Sequence, residues 1–123
     1  MTDSPLFESE MDADTLIVNF SGNITAFDDA QLLADFQALI AASGRPAFAN
    51  VIVDFGQMAY FGSSMLEALL VLWNEIHPSG GKLVLCNVSS VGREILDVSN
   101  FSTLWPICQG RQEAMAVVRG ENR

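Results

Sequence analysis

The chain has 123 residues, half of them apolar, and 15 acids against 6 bases give a formal charge of −9. That length fits one ordinary domain able to bury a real core, and the apolar content excludes global disorder. Such acidity repels phosphate backbones and anionic lipid, so neither nucleic acid nor a membrane surface is the expected main partner.

In chain order, Leu6 to Glu10 and Thr15 to Phe20 read as two short strands joined by Met11-Asp12-Ala13-Asp14. Leu16, Val18 and Phe20 alternate with Ile17 and Asn19, the period of a sheet, so the pair predicts a hairpin. Asp28 to Ala42 predicts a helix, with Asp28 as cap and Gln31 at capping-box spacing. Ser43-Gly44-Arg45-Pro46 stops it. Val51-Ile52-Val53 is a β-branched run expected as a buried strand. Ser63 to His77 predicts a second helix, ended by Pro78-Ser79-Gly80-Gly81. Lys82 to Cys86 is the next strand. Ser89 or Ser90 can cap a third helix, with Val91, Ile95 and Val98 at i, i+4 and i+7. Leu104 to Ile107 predicts a short edge strand, where Pro106 is tolerated. Gln112 to Val118 predicts a last helix. The single domain, 1–123, therefore has a core over about 6–118 and a loose tail at 119–123. Strand and helix alternate from residue 48 onward, so the fold class is α/β, with a mixed sheet of four to five strands and about four helices.

No apolar run approaches the ~18 residues of a membrane helix. The start, MTDSPLFESE, carries neither a basic region nor an apolar stretch, so no signal peptide is expected and the protein is read as cytoplasmic. Residues 1–50 hold eight acids and one base and residues 51–123 seven acids and five bases, charges of −7 and −2. The acidic first half suits a solvated face or a docking surface for a basic partner. Cys86 and Cys108 have no CxxC spacing and are expected as buried, reduced thiols. His77, the one histidine, has no ligand cluster and is expected to meet a helix dipole. No metal or other cofactor is implied.

The informative stretch is VIVDFGQMAYFGSSMLEALLVLWNE, residues 51–75. It places Ser63 and Ser64 at a helix N-terminus, where unpaired N–H groups and the dipole favour a phosphoryl group. The same residues allow another reading. Ser64-Met65-Leu66-Glu67 is S-x-x-E, a capping box that would leave Ser64 doing no more than satisfying a backbone N–H. Gly62-Ser63-Ser64 falls short of a nucleophile elbow because Leu66 stands where glycine is required. His77 would lie about 20 Å along the same helix. Asp54-Phe55-Gly56 has no nucleotide loop or catalytic loop with it. An enzyme is therefore not expected. On a helical wheel centred on Glu67, Met65, Leu69, Leu72, Trp73 and Ile76 fall inward. Val71 falls outward with Ala68 and Leu70 beside it, a possible docking surface next to the serines.

The succession of hairpin, helix, strand, Ser-Ser helix, strand, helix, short strand and helix resembles the STAS domain, in particular the bacterial anti-sigma factor antagonists. Val51-Ile52-Val53-Asp54-Phe55 resembles the family's central strand, and Phe61-Gly62-Ser63-Ser64-Met65-Leu66 its Asp-Ser-Ser-Gly-Leu segment. Gly80-Gly81-Lys82-Leu83-Val84-Leu85 is similar to its G-G-x-L-x-L strand. Ile95 to Phe101 is similar to the end of its third helix, and Glu113-Ala114 to the start of its last. The resemblance implies a regulatory binding module whose partner is an anti-sigma factor or serine kinase. It also implies that Ser64, with Ser63 beside it, is the phosphorylation candidate. The contact surface would comprise Gly62, Ser63, Ser64, Met65, Glu67, Ala68 and Val71. The family also contains scaffold subunits of signalling and lipid-transport assemblies, which need no phosphorylation. This chain differs at the family's two acids near the serine, which are Gly62 and Thr25 here, and Met65 replaces the glycine after the pair.

Overall fold

The computed structural model describes residues 6–20, 29–43, 48–56, 58 and 61–120. The first five elements are β1 (Phe7–Asp12), β2 (Thr15–Phe20), α1 (Asp29–Ser43), β3 (Asn50–Asp54) and α2 (Ser63–Ile76). They are followed by β4 (Leu83–Cys86), α3 (Ser90–Val98), β5 (Ile107–Cys108) and α4 (Arg111–Val118). The strands form one five-stranded sheet in the order β1-β2-β3-β4-β5. The β1–β2 pair is antiparallel and the other three pairs are parallel. This is the expected single α/β domain with a mixed sheet and four helices.

The strand order decides where the helices go. Each parallel step moves one place in the same direction, and a right-handed crossover then puts every connecting helix on the same face. Accordingly Leu16, Val18, Phe20, Val51, Val53, Leu83 and Leu85 share one core with side chains of α1, α2 and α3. The alternate residues Ile17, Ile52, Val84, Cys86 and Cys108 point to the opposite face, where Ala114 and Val118 of α4 cover them. The first core is aromatic at one end. Phe7 lies edge-on to Phe36 with centroids 5.0 Å apart, and Phe20, Phe55 and Phe61 continue the chain of rings.

Beyond shifts of one residue at α1, β3, β4 and α4, predicted boundaries move at β1, α2 and the edge strand. β1 runs on to Asp12, leaving Ala13-Asp14 as the turn, with Ala13 at a φ of 56°. α2 ends at Ile76, and His77-Pro78-Ser79 continue as a 3₁₀ turn closed by Gly80 at a φ of 84°. The edge strand is Ile107–Cys108 rather than Leu104–Ile107. Phe101–Thr103 form a 3₁₀ turn instead, which stacks Trp105 on Phe101 at 5.0 Å and buries it. Pro106 enters the edge strand with its carbonyl accepting from the Leu85 N–H, consistent with a residue that lacks a donor of its own. Arg119 and Gly120, at the start of the tail, still donate to the carbonyls of Met115 and Val117. The proposed cap Asp28, the stop Gly44 to Pro46, and Thr25 lie outside the described residues.

Candidate functional site

The chain leaves β3 at Asp54 and reaches α2 through residues held by backbone bonds. Phe55 N–H donates to the Cys86 carbonyl at 3.0 Å, and Met58 N–H to the Phe55 carbonyl at 3.0 Å. Phe61 then anchors the approach. It is buried, and it packs so closely on α3 that a Cβ on Gly92 would sit 2.8 Å from its ring. Gly92 is thus the one residue type that lets α3 lie against this loop.

Gly62 is the N-cap of α2, with extended backbone, and the helix begins at Ser63. A glycine has no side chain to accept from the first-turn N–H groups, and no acid stands in that turn. The positive end of the helix is therefore not compensated by its own side chains. Ser63 is exposed there. Ser64 is 4 % exposed and lies inside the first turn. The capping-box reading of Ser64 and Glu67 does not hold, because the cap is two residues earlier.

The buried side of α2 consists of Ser64, Met65, Ala68, Leu69, Leu72 and Ile76. This corrects the predicted contact surface. Ala68, placed beside the outward face by a wheel centred on Glu67, is fully buried, and so is Met65. The buried arc is rotated toward Ser64 and Ala68. Of the predicted surface, Ser63 and Glu67 are exposed, and Gly62 and Val71 are half-buried. Leu66 and Leu70 are half-buried against the core. His77 is at the far end of α2 as its C-cap, stacked on Trp73 at 4.4 Å, so the one histidine stands far along the helix from both serines.

One constellation was not expected. Asp54, 6 % exposed at the end of β3, accepts from Gly56 N–H at 2.8 Å, Asn87 Nδ2 at 2.9 Å and Arg111 Nε at 3.1 Å. Arg111 also donates to Glu10 of β1 at 2.9 Å. Asn87 adopts a φ of 57°, a conformation asparagine tolerates better than most residues. A single carboxylate thus joins the loop leading to α2, the exit of β4 and the first residue of α4. The sequence signal was a lone acid ending the run Val51-Ile52-Val53. Its partner, 57 positions away, could be named only from the topology. Beneath α4, Cys86 and Cys108 are register partners on adjacent strands and are buried free thiols. Burial, aided by the Asp54 charge, pushes the Cys86 thiol up to about 12, and burial raises Cys108 as well. Among the described residues no group of His, Cys, Asp and Glu is arranged to hold a metal ion, and no helix is long and apolar enough to cross a membrane.

This architecture matches known proteins along nearly its whole length. The model of the STAS domain family matches residues 7–114, and the chain belongs to that family. BtrV of Bordetella bronchiseptica, which carries the name of an anti-sigma factor antagonist, is 27 % identical over 104 residues, covering 85 % of this chain and 86 % of BtrV. An anti-sigma-factor antagonist (STAS) domain protein from Planctomyces limnophilus superposes with a TM-score of 0.72 at 25 % identity, over 92 % of this chain and 97 % of the other. The anti-sigma factor antagonist SpoIIAA in its unphosphorylated form has the same fold, with a TM-score of 0.77 at 22 % identity over 95 % and 99 % of the two chains. Its phosphorylated form gives 0.67 at 23 % identity over 91 % and 98 %.

Proposed function

We propose that this protein is a cytoplasmic anti-sigma factor antagonist, a binding module rather than an enzyme, that engages an anti-sigma factor or serine kinase through the start of α2. The observation carrying the proposal is the exposed Ser63 at an uncapped helix N-terminus, followed along the same side by Glu67 and Val71. The names borne by BtrV and the structural neighbours support the class of partner.

Ser64 occupies the position that the family resemblance makes the phosphate acceptor. Because it is buried, phosphate transfer there requires the first turn of α2 to open. A phosphate of about −1.5 to −2 charge could not return to that site without a desolvation cost. Glu67, three residues on, adds repulsion. Phosphorylation would therefore hold the turn open and dismantle the surface. The burial of Ser64 also favours a second reading, a constitutive scaffold subunit in which the serine only packs.

Incubation with the anti-sigma kinase and ATP, followed by mass spectrometry, separates the two. Modification at Ser64 or Ser63 with loss of binding supports the switch. Unmodified serines beside an active, bound kinase overturn it. A complex indifferent to Ser64→Asp supports the scaffold.

A further inference from the structure

Cys86 and Cys108 are the chain's two cysteines, and the function argued above uses neither. They are register partners at the ends of β4 and β5, on the sheet face that Ala114 and Val118 cover. Neighbouring strands lie about 4.7–4.9 Å apart, within the Cα separation of about 4.4–6.8 Å that a disulfide spans. Side by side on parallel strands, the two Cβ atoms start at about that strand spacing, whereas a disulfide draws them to about 3.5–4.5 Å. Closing the pair therefore requires one strand to move by about 1 Å. β5 is the strand able to do so. It has two residues and stands at the edge of the sheet, with β4 as its one strand neighbour among the described residues.

Access to the two thiols is unequal. Cys86 is fully buried, whereas Cys108 is 7 % exposed. Cys108 also lies on the wall of an open cavity of about 370 Å³, with Asn87, Ser89, Arg93, Ile107 and Gln109 around it. A small oxidant entering there meets Cys108 first, with Cys86 beside it as the second thiol. Burial, with Asp54 at Cys86 and Glu113 at Cys108, raises both thiols. The thiolate is the reactive form, so the first step is slow at neutral pH.

We propose that Cys108 and Cys86 form a reversible intrachain disulfide, with a hydroperoxide as the oxidant. Cys108 Sγ attacks the O–O bond and becomes a sulfenic acid, and the peroxide's other oxygen leaves as water or an alcohol, carrying the thiol proton. Cys86 Sγ then attacks Cys108 Sγ. The S–S bond forms, the S–O bond breaks, and the oxygen leaves as water with the Cys86 proton. Two electrons pass from the sulfurs to the peroxide. The displacement required of β5 leaves the disulfide strained, and strained disulfides are the readily reduced ones. A dithiol therefore returns both thiols and is itself oxidised to a disulfide. The couple needs neither serine of α2, so it stands or falls apart from the partner surface proposed there.

In the test, the full chain, reduced and then freed of reductant, is treated with hydrogen peroxide under native conditions. Intact mass, peptide mapping and thiol titration follow the reaction. The expected result is loss of two hydrogens and of both thiols, a peptide pair linking Cys86 to Cys108, unchanged circular dichroism, and full recovery with dithiothreitol. Cys86→Ala should stop at a sulfenic acid on Cys108 that dimedone traps. Cys108→Ala should slow oxidation of the remaining thiol by about tenfold or more, because Cys86 is fully buried. The result for the native chain stands without either variant. The proposal is overturned if both thiols persist in the folded chain, as they would for residues that only pack. It is equally overturned if the disulfide forms only in urea or joins two chains. Equal oxidation rates for the two variants would overturn the assignment of Cys108 as the thiol attacked first.

Discussion

The two faces of the sheet are held differently. Under α1, α2 and α3 lies a continuous core of aliphatic and aromatic side chains from seven of the nine elements. Under α4 the contact is narrow, two buried side chains of an eight-residue helix, and its ends are fastened by Arg111 to Asp54 and Glu10 and by Arg119 to Asp12. The first face is stabilised mainly by removal of apolar surface from water, which is nearly independent of salt. The second leans on charge pairs that are partly exposed and therefore screened. Thus α2, which carries the serines, lies on the face held by apolar burial, while the chain's last helix is the part most sensitive to salt.

Four predictions sharpen or break this contrast. Phe61→Ala should be the most damaging, at about 3–5 kcal/mol, and its cost, read from urea unfolding, should be the same in low and high salt. Arg111→Met should cost about 1–3 kcal/mol by leaving Asp54 buried without its cation, and the cost should shrink in high salt. Adding Asp54→Asn should recover part of it in a double-mutant cycle. Equal salt dependence for Phe61→Ala and Arg111→Met would erase the distinction between the faces.

The third prediction concerns pH. The Cys86 thiol keeps its proton in the folded chain up to about 12, whereas an unfolded thiol ionises near 9.0. Its contribution is therefore whole below pH 9 and is lost as pH rises from there toward 12, by at most about 1.4 kcal/mol per pH unit. Tm measured from pH 8 to 11 should fall more steeply for the native chain than for Cys86→Ala, and parallel curves would contradict the assignment. The smallest effect is expected for Glu67→Gln, within about 0.5 kcal/mol, because its side chain is exposed and takes no part in the core.

Much of this was legible in the sequence because it is local. Alternation in Leu16 to Phe20 announced β2, the serine pair marked the start of α2 at Ser63, and Ser89 caps α3 by accepting from Gly92 N–H at 3.0 Å. What was not legible depends on neighbours far along the chain. A helical wheel assigns faces from the charges of α2 alone, and Glu67 misled it. The actual inward arc is set by α1 and the sheet, which admit the small Ser64 and Ala68. The edge strand was displaced because stacking with Phe101 draws Trp105 into the core, a gain that strand propensity does not contain. Arg111 gave no local signal at all. Its role exists only because the sheet brings Asp54 of β3 and Glu10 of β1 within reach of the first residue of α4.

The partner surface proposed above is the exposed start of α2. Hydrogen–deuterium exchange of the chain alone and with a candidate anti-sigma factor bound tests this most directly. Added protection is expected from Gly62 through Asn74, with α4 unchanged. Protection confined to α4 and the β1–β2 hairpin, with the start of α2 exchanging as in the free chain, would contradict it.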